Sequence, residues 1–119
     1  MVARGVRGAI CVAQNTPEAI IAQSKKLLNA MVDQNNIVLA DIACVWLTTT
    51  TDLNAEFPAV AARQLGWTDV PLLCAHEMQV PHALASVVRA MMLYNTTKTQ
   101  TDIQHVYLDG AEVLRPDVK

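Results

Sequence analysis

Residues 2 to 13 alternate with the period of a strand: Val2, Arg4, Val6, Ile10 and Val12 fall on one side, and Ala3, Gly5, Arg7, Ala9, Cys11 and Ala13 on the other. The pattern predicts a strand with one bulky face and one nearly bare face. Arg7 stands on the bare face, where small neighbours leave room for a ligand or a second subunit. Thr16-Pro17-Glu18 then opens a helix with a capping hydroxyl, a proline in the first turn and an acid at the positive dipole end. Ile20, Ser24, Leu27, Leu28 and Met31 recur at helical spacing and point to one packed face, and the helix ends around Gln34-Asn35-Asn36.

Asp41 to Thr51 reads as a buried strand running out into polar threonines, so strand, helix and strand follow in the order of a right-handed crossover unit. Phe57 to Gly66 predicts a short helix, with proline near its start and glycine past its end. Val70 to Ala75 is strand-like, and strict alternation sends Cys74 and Glu77 to opposite faces unless the strand ends or bulges between them. The run from Pro81 to Thr96 is ambiguous, because Ala83 to Leu93 favours helix by propensity. Ile103 to Leu108 and Ala111 to Arg115, divided by Asp109-Gly110 and stopped by Pro116, predict a hairpin.

Length and composition bound the answer. A chain of 119 residues that is 52% hydrophobic has material for one domain, residues 1–119, with its own core. A net charge of −2 and a pI near 5.8 exclude a nucleic-acid surface, which needs a basic face. No apolar run approaches the roughly 18 residues that span a bilayer, and Met1 to Gly5 lack a charged lead into an apolar segment. The expectation is a soluble, cytoplasmic protein without a membrane partner. Cys11, Cys44 and Cys74 are odd in number and far apart, which suits reduced thiols, with Cys11 and Cys44 in the core.

Charge changes the picture more than composition does. Arg7, Arg89 and Arg115 lie inside apolar, strand-like runs, whereas Lys25, Lys26, Lys98 and Lys119 lie in helical, loop or terminal positions. A guanidinium withdrawn from water costs several kcal/mol unless an anion pairs with it, so each arginine needs an internal acid, a route to solvent or an anionic ligand. Planar, always-charged forks suit carboxylate or phosphate. The sequence has no glycine-rich phosphate loop, zinc-protease helix motif or nucleophile elbow. His76, His82 and His105 lack metal-ligand spacing, and a structural hydrogen bond is the expected job of His105 beside the strand of Tyr107. No metal and no cofactor are expected. A catalytic site of this composition must work mainly by placing charge.

Several segments together carry a family resemblance. Arg4-Gly5-Val6-Arg7-Gly8-Ala9, Asp52-Leu53-Asn54-Ala55-Glu56-Phe57-Pro58-Ala59 and Arg63-Gln64-Leu65-Gly66-Trp67 resemble the small monofunctional chorismate mutases of the trimeric, pseudo-α/β-barrel type. So do Val70-Pro71-Leu72-Leu73-Cys74-Ala75-His76-Glu77-Met78, Val88-Arg89, His105-Val106-Tyr107-Leu108 and Val113-Leu114-Arg115-Pro116-Asp117. The match runs in order over essentially the whole chain.

The resemblance implies an α+β, α/β-like fold: a mixed β-sheet with two main helices packed on one face, three copies forming a pseudo-α/β-barrel with active sites at the subunit interfaces. The ambiguous Val87 to Asn95 run then becomes a strand. The implied reaction is the Claisen rearrangement of chorismate to prephenate, an isomerase step of aromatic amino acid biosynthesis in the shikimate pathway, toward phenylalanine and tyrosine. Similarity puts Arg89 at the ether oxygen, Arg7 and Tyr107 on a carboxylate, and Cys74 and Glu77 at the hydroxyl and ring side. Phe57 and Arg63, from the neighbouring subunit, would wall the pocket with Leu73. Leu114 and Arg115 would close it, Val60 adds no cation to the rim, and a chain ending at Lys119 leaves little tail to cover it.

Two other classes of function fit the same residues. One is a non-catalytic trimeric module that binds or senses a small anion. The other is a purely structural trimer, in which Arg7, Arg89 and Arg115 would pair with internal acids and leave no open pocket.

Overall fold

The computed structural model describes residues 1–116; Asp117 and Lys119, singled out above, lie outside the described residues. Its elements are β1 (Val2–Cys11), α1 (Pro17–Asn35), β2 (Ile42–Thr49), α2 (Ala59–Gln64), β3 (Leu72–His76), β4 (Val87–Thr96) and β5 (Val106–Leu108), with short 3-10 turns at Leu39–Asp41, Gln100–Asp102 and Ala111–Leu114. The Thr16 hydroxyl accepts from the Ala19 N–H at 3.1 Å and so caps α1, and Asn36, at φ 52°, ends it.

The strands form one mixed sheet in the order β3-β2-β4-β1-β5. β4 lies antiparallel to both β1 and β2, so these two run parallel to each other with one strand between them. β3 and β5 join the edges in parallel with β2 and β1. Both helices cover a single face. There Val6, Ile10, Val45, Leu47, Val88 and Met92 pack against Leu27, Leu28 and Met31 of α1 and Ala59 and Ala62 of α2.

The opposite face carries no helix. Along it lie Trp46, Leu73, Met91 and Leu93, of which Trp46 and Leu73 are 41% and 61% exposed. An uncovered sheet face this apolar is a surface that calls for a partner.

Two expectations need correction. Residues 87–96 form a strand, not the helix their propensity favours, because β1 and β2 flank the segment and it supplies ladder partners to both. Its alternation fits: Val88, Ala90, Met92 and Tyr94 are buried toward the helices. The second is the hairpin at Asp109-Gly110. The two residues do turn the chain at φ 52° and 102°, but Ala111–Leu114 coils as a 3-10 turn instead of returning as a strand.

The cause lies in what holds the turn. The Asp109 carboxylate takes hydrogen bonds from Lys26 at 2.9 Å and Gln23 at 2.8 Å, which tie it to α1. Ala111 then buries against Ala9 and Val87 on the open face. Arg115 therefore reaches its place from a turn and not from a strand. Cys11 and Cys44 are half-buried, not fully in the core, and Cys11, Cys44 and Cys74 are all unbridged. No helix among the described residues is long and apolar enough to cross a membrane.

Gly8 is where α1 presses closest on the sheet. A Cβ there would sit 2.7 Å from Met31 Sδ and 2.9 Å from Leu27 Cδ1, both on fully buried side chains. Gly8→Ala is expected to lower stability by roughly 1–3 kcal/mol through overpacking. A thermal melt checks this, and an unchanged midpoint would mean that the two side chains yield without cost.

Candidate active site

Sheet register builds the site. Ala75, Thr48, Arg89, Ala9 and Tyr107 are cross-strand partners in one row over all five strands, and Leu73, Trp46, Met91 and Arg7 form the next row. All of these residues share the face without helices. Because Ala9 is small, it leaves a gap between Arg89 and Tyr107. A cleft of about 470 Å³ opens above the rows, lined by Arg7, Glu77, Arg89, Tyr107, Leu114 and Arg115 among others.

Six of the ten residues proposed from the sequence thus come together on one face. Glu77 reaches it because β3 ends at His76 and the next residue continues the alternation onto the open side, held by its N–H donating to Thr49 O at 2.7 Å. Its carboxylate accepts a hydrogen bond from the Thr48 hydroxyl. Arg89 Nε lies 4.0 Å from Glu77 Oε2, near enough for attraction but beyond hydrogen-bond reach. That Nε is sealed from solvent and has no hydrogen-bond acceptor among the described residues.

A buried donor of this kind, aimed from a central strand, is unusual enough to mark a place for an acceptor. Arg7 differs from Arg89 in having no carboxylate within ion-pair distance among the described residues. Its backbone N–H donates to His105 Nδ1 at 3.0 Å, the structural hydrogen bond expected of that histidine. Burial, then the positive charges of Arg7 and Arg115, holds the His105 imidazole below its ordinary pKa.

The other four residues lie elsewhere in the protomer. Cys74 faces the helix side and lines a second cleft, of about 440 Å³, together with Phe57, Glu56 and His76. Phe57 is 66% exposed there. Arg63, on the surface of α2, sits beside Trp67 and Leu72. Leu73 lies on the open face next to Trp46, at the β3 edge. Cys74 and Glu77 therefore do not meet within one chain, as strand alternation requires.

Sequence reasoning passed over Thr48, Trp46, Met91 and Ala9. Their signal was the alternation of β2 and β4, which places Thr48 opposite Arg89 once the pairing register is known. Among the described residues no group of three or more His, Cys, Asp or Glu side chains could hold a metal ion.

A mixed sheet that sets arginines in an open cleft around one carboxylate defines a protein that handles a small anion by placed charge. Its incomplete cleft and uncovered apolar face fit a site finished by another copy. The model of the chorismate mutase type I family matches residues 3–118, and the chain belongs to that family. It is 47% identical over 117 residues to chorismate mutase AroH of Thermus thermophilus, covering 98% of this chain and 96% of that protein. With chorismate mutase AroH of Bacillus subtilis it shares 42% identity over 119 residues, 99% of this chain and 94% of the relative. A solved chorismate mutase from Clostridium thermocellum superposes with a TM-score of 0.90 at 46% identity, covering 92% of this chain and 97% of that one.

Proposed function

We infer that this chain is a chorismate mutase, an isomerase that rearranges chorismate to prephenate, and that Arg89 is its principal catalytic group. The observation that carries this is the sealed Arg89 Nε, which lacks an acceptor among the described residues and lies 4.0 Å from Glu77 in the centre of the cleft. In the rearrangement the ether C–O bond breaks ahead of C–C bond formation, and negative charge gathers on the ether oxygen. A fixed donor at that oxygen binds the transition state more strongly than the ground state, and this difference is what accelerates the step. No proton transfer or covalent intermediate is required.

The remaining roles follow the charges of the substrate, a dianion. Arg7 and Tyr107 take one carboxylate, and Arg115 and Leu114 close the rim. Glu77, fixed by Thr48 and Thr49, orients Arg89 and meets the hydroxyl and ring side of the substrate. Phe57, Arg63, Leu73 and Cys74 come from a neighbouring subunit. This arrangement makes the protein a homotrimer whose open sheet faces turn inward, burying Trp46 and Met91, with one site at each subunit contact. The unbridged cysteines suit a reducing compartment, and we place the reaction in the cytoplasm.

The test is direct. Purified protein is mixed with chorismate, and the loss of its absorbance is followed with prephenate identified as the product. Turnover is expected; binding without turnover would make the protein a sensor of the same anion. Light scattering should give three times the mass of one chain, and a monomer would overturn the shared site.

A further inference from the structure

We propose that His105 is a positioning residue for Arg7: its neutral imidazole holds the carboxylate-binding arginine in register, and protonation of that ring releases it and weakens substrate binding. The proposal rests on the reading of the site as a chorismate mutase centre.

Pairing between β1 and β5 begins at Gly8 and Val106. One residue earlier the ladder has no backbone rung, and the His105 side chain supplies it by accepting the Arg7 N–H at 3.0 Å across 98 positions of sequence. Nδ1 can accept only while it carries no proton, so the ring proton must sit on Nε2. A second proton would set two N–H donors against each other at this distance. One of the two backbones must then move.

The surroundings decide which. Gln104, the residue before His105, is clamped at both backbone groups by the buried Asn35 of α1: its N–H donates to Asn35 Oδ1 at 2.8 Å, and its carbonyl accepts from Asn35 Nδ2 at 2.9 Å. The same amide nitrogen also donates to Met31 O at 2.9 Å. The histidine side is therefore anchored to the long helix, and displacement falls on Arg7. This is the residue whose guanidinium faces the cleft.

The charged groups acting on the ring are Arg7 from β1 and Arg115 from beyond the last 3-10 turn. From α1 the neighbour is the neutral Asn35 amide, with the Lys98 ammonium bound to the Asn35 carbonyl at 2.7 Å. Burial and then the two arginines keep the ring from charging until the pH falls below its ordinary value of 6.5. Above that value the anchor is intact, and on acidification it is lost. The added positive charge does not rescue binding, because it arrives on the very atom that must accept the Arg7 N–H.

Steady-state kinetics between pH 7.5 and pH 5 test this on the wild type, His105→Asn and His105→Ala. In the wild type KM is expected to rise roughly tenfold on acidification, the scale for losing one hydrogen bond to a buried donor, while kcat changes far less. His105→Asn keeps an acceptor oxygen near the position of Nδ1 but cannot be protonated, so its KM should not follow pH. His105→Ala should show a raised KM throughout. An acid limb that survives unchanged in His105→Asn overturns the proposal.

Nitrogen NMR of the ring and of the Arg7 amide supplies an arm that needs no turnover. The ring should be the Nε2–H tautomer at pH 7.5, and the Arg7 amide should titrate with the same midpoint as the imidazole. Independent midpoints overturn the proposed anchoring. Coupled midpoints in a protein that leaves chorismate unchanged would uphold the anchor and remove the catalytic reading instead.

Discussion

Replacing Arg89 by alanine is expected to cut kcat by at least about 10²-fold, the scale for removing one donor that meets charge developing in the transition state. The estimate rests on where the guanidinium sits. Arg89 lies in the central strand, with Thr48 on one side and Ala9 on the other, so the backbone beneath it is held by ladders on both edges. Its Nε is withheld from solvent and from hydrogen bonding, and so it is ready for an acceptor that arrives with the substrate. Water would otherwise have to be cleared from it during the reaction.

Arg89→Lys should fail nearly as badly, because an ammonium keeps the charge but loses the planar fork and the position of Nε. KM should change less than kcat in both variants, since the lost interaction belongs to the transition state. Initial rates over a range of chorismate concentrations check this, with circular dichroism to show that the sheet is retained. Near-normal turnover in Arg89→Ala would remove Arg89 from the centre of the mechanism.

The second large effect concerns the division of the site. Arg89→Ala disables the half built on the open sheet face, and Arg63→Glu reverses the charge of the half built on α2. Each variant alone should be nearly inactive. Mixed by unfolding and refolding together, they should recover about a quarter of wild-type activity, because in a head-to-tail ring that share of contacts joins two intact halves. If each chain carried a whole site, mixing would leave only the sum of the two residual activities. The outcome distinguishes a shared site from a private one without knowledge of the contact geometry.

Much of the sheet and part of the site were legible in the sequence. Period-two spacing put Arg7 on a bare face, and Thr16, Pro17 and Asn36 bounded α1 because capping is local chemistry. The strand at 87–96 was obscured by the opposite circumstance. Its Ala, Leu and Met residues suit a helix, and only the unfilled edges of β1 and β2, far away in sequence, select the extended form. Family resemblance supplied that strand where propensity could not. The turn at Asp109-Gly110 misled because hairpin chemistry is local, whereas the contact that redirects the chain comes from Lys26 and Gln23 on α1. Cys74 and Glu77 could be separated by counting alternation along β3. Where Cys74 acts depends on a second chain, which no spacing within one sequence can describe.

The strand order has a consequence for how the molecule is made. β1 and β2 never pair with each other, and the strand that joins them begins only at Val87. On a ribosome, the first three-quarters of the polypeptide can form α1 and the β2–β3 pair but cannot close the sheet. Folding must wait for the late insertion of β4 between two strands already synthesised, a step dominated by distant contacts and therefore slow. Until then β1 and β2 expose unpaired edges, and the nascent chain is most exposed to aggregation in that interval. Arg89 arrives with the strand that ends it, so the residue that completes the fold is carried on the same segment as the residue that performs the chemistry.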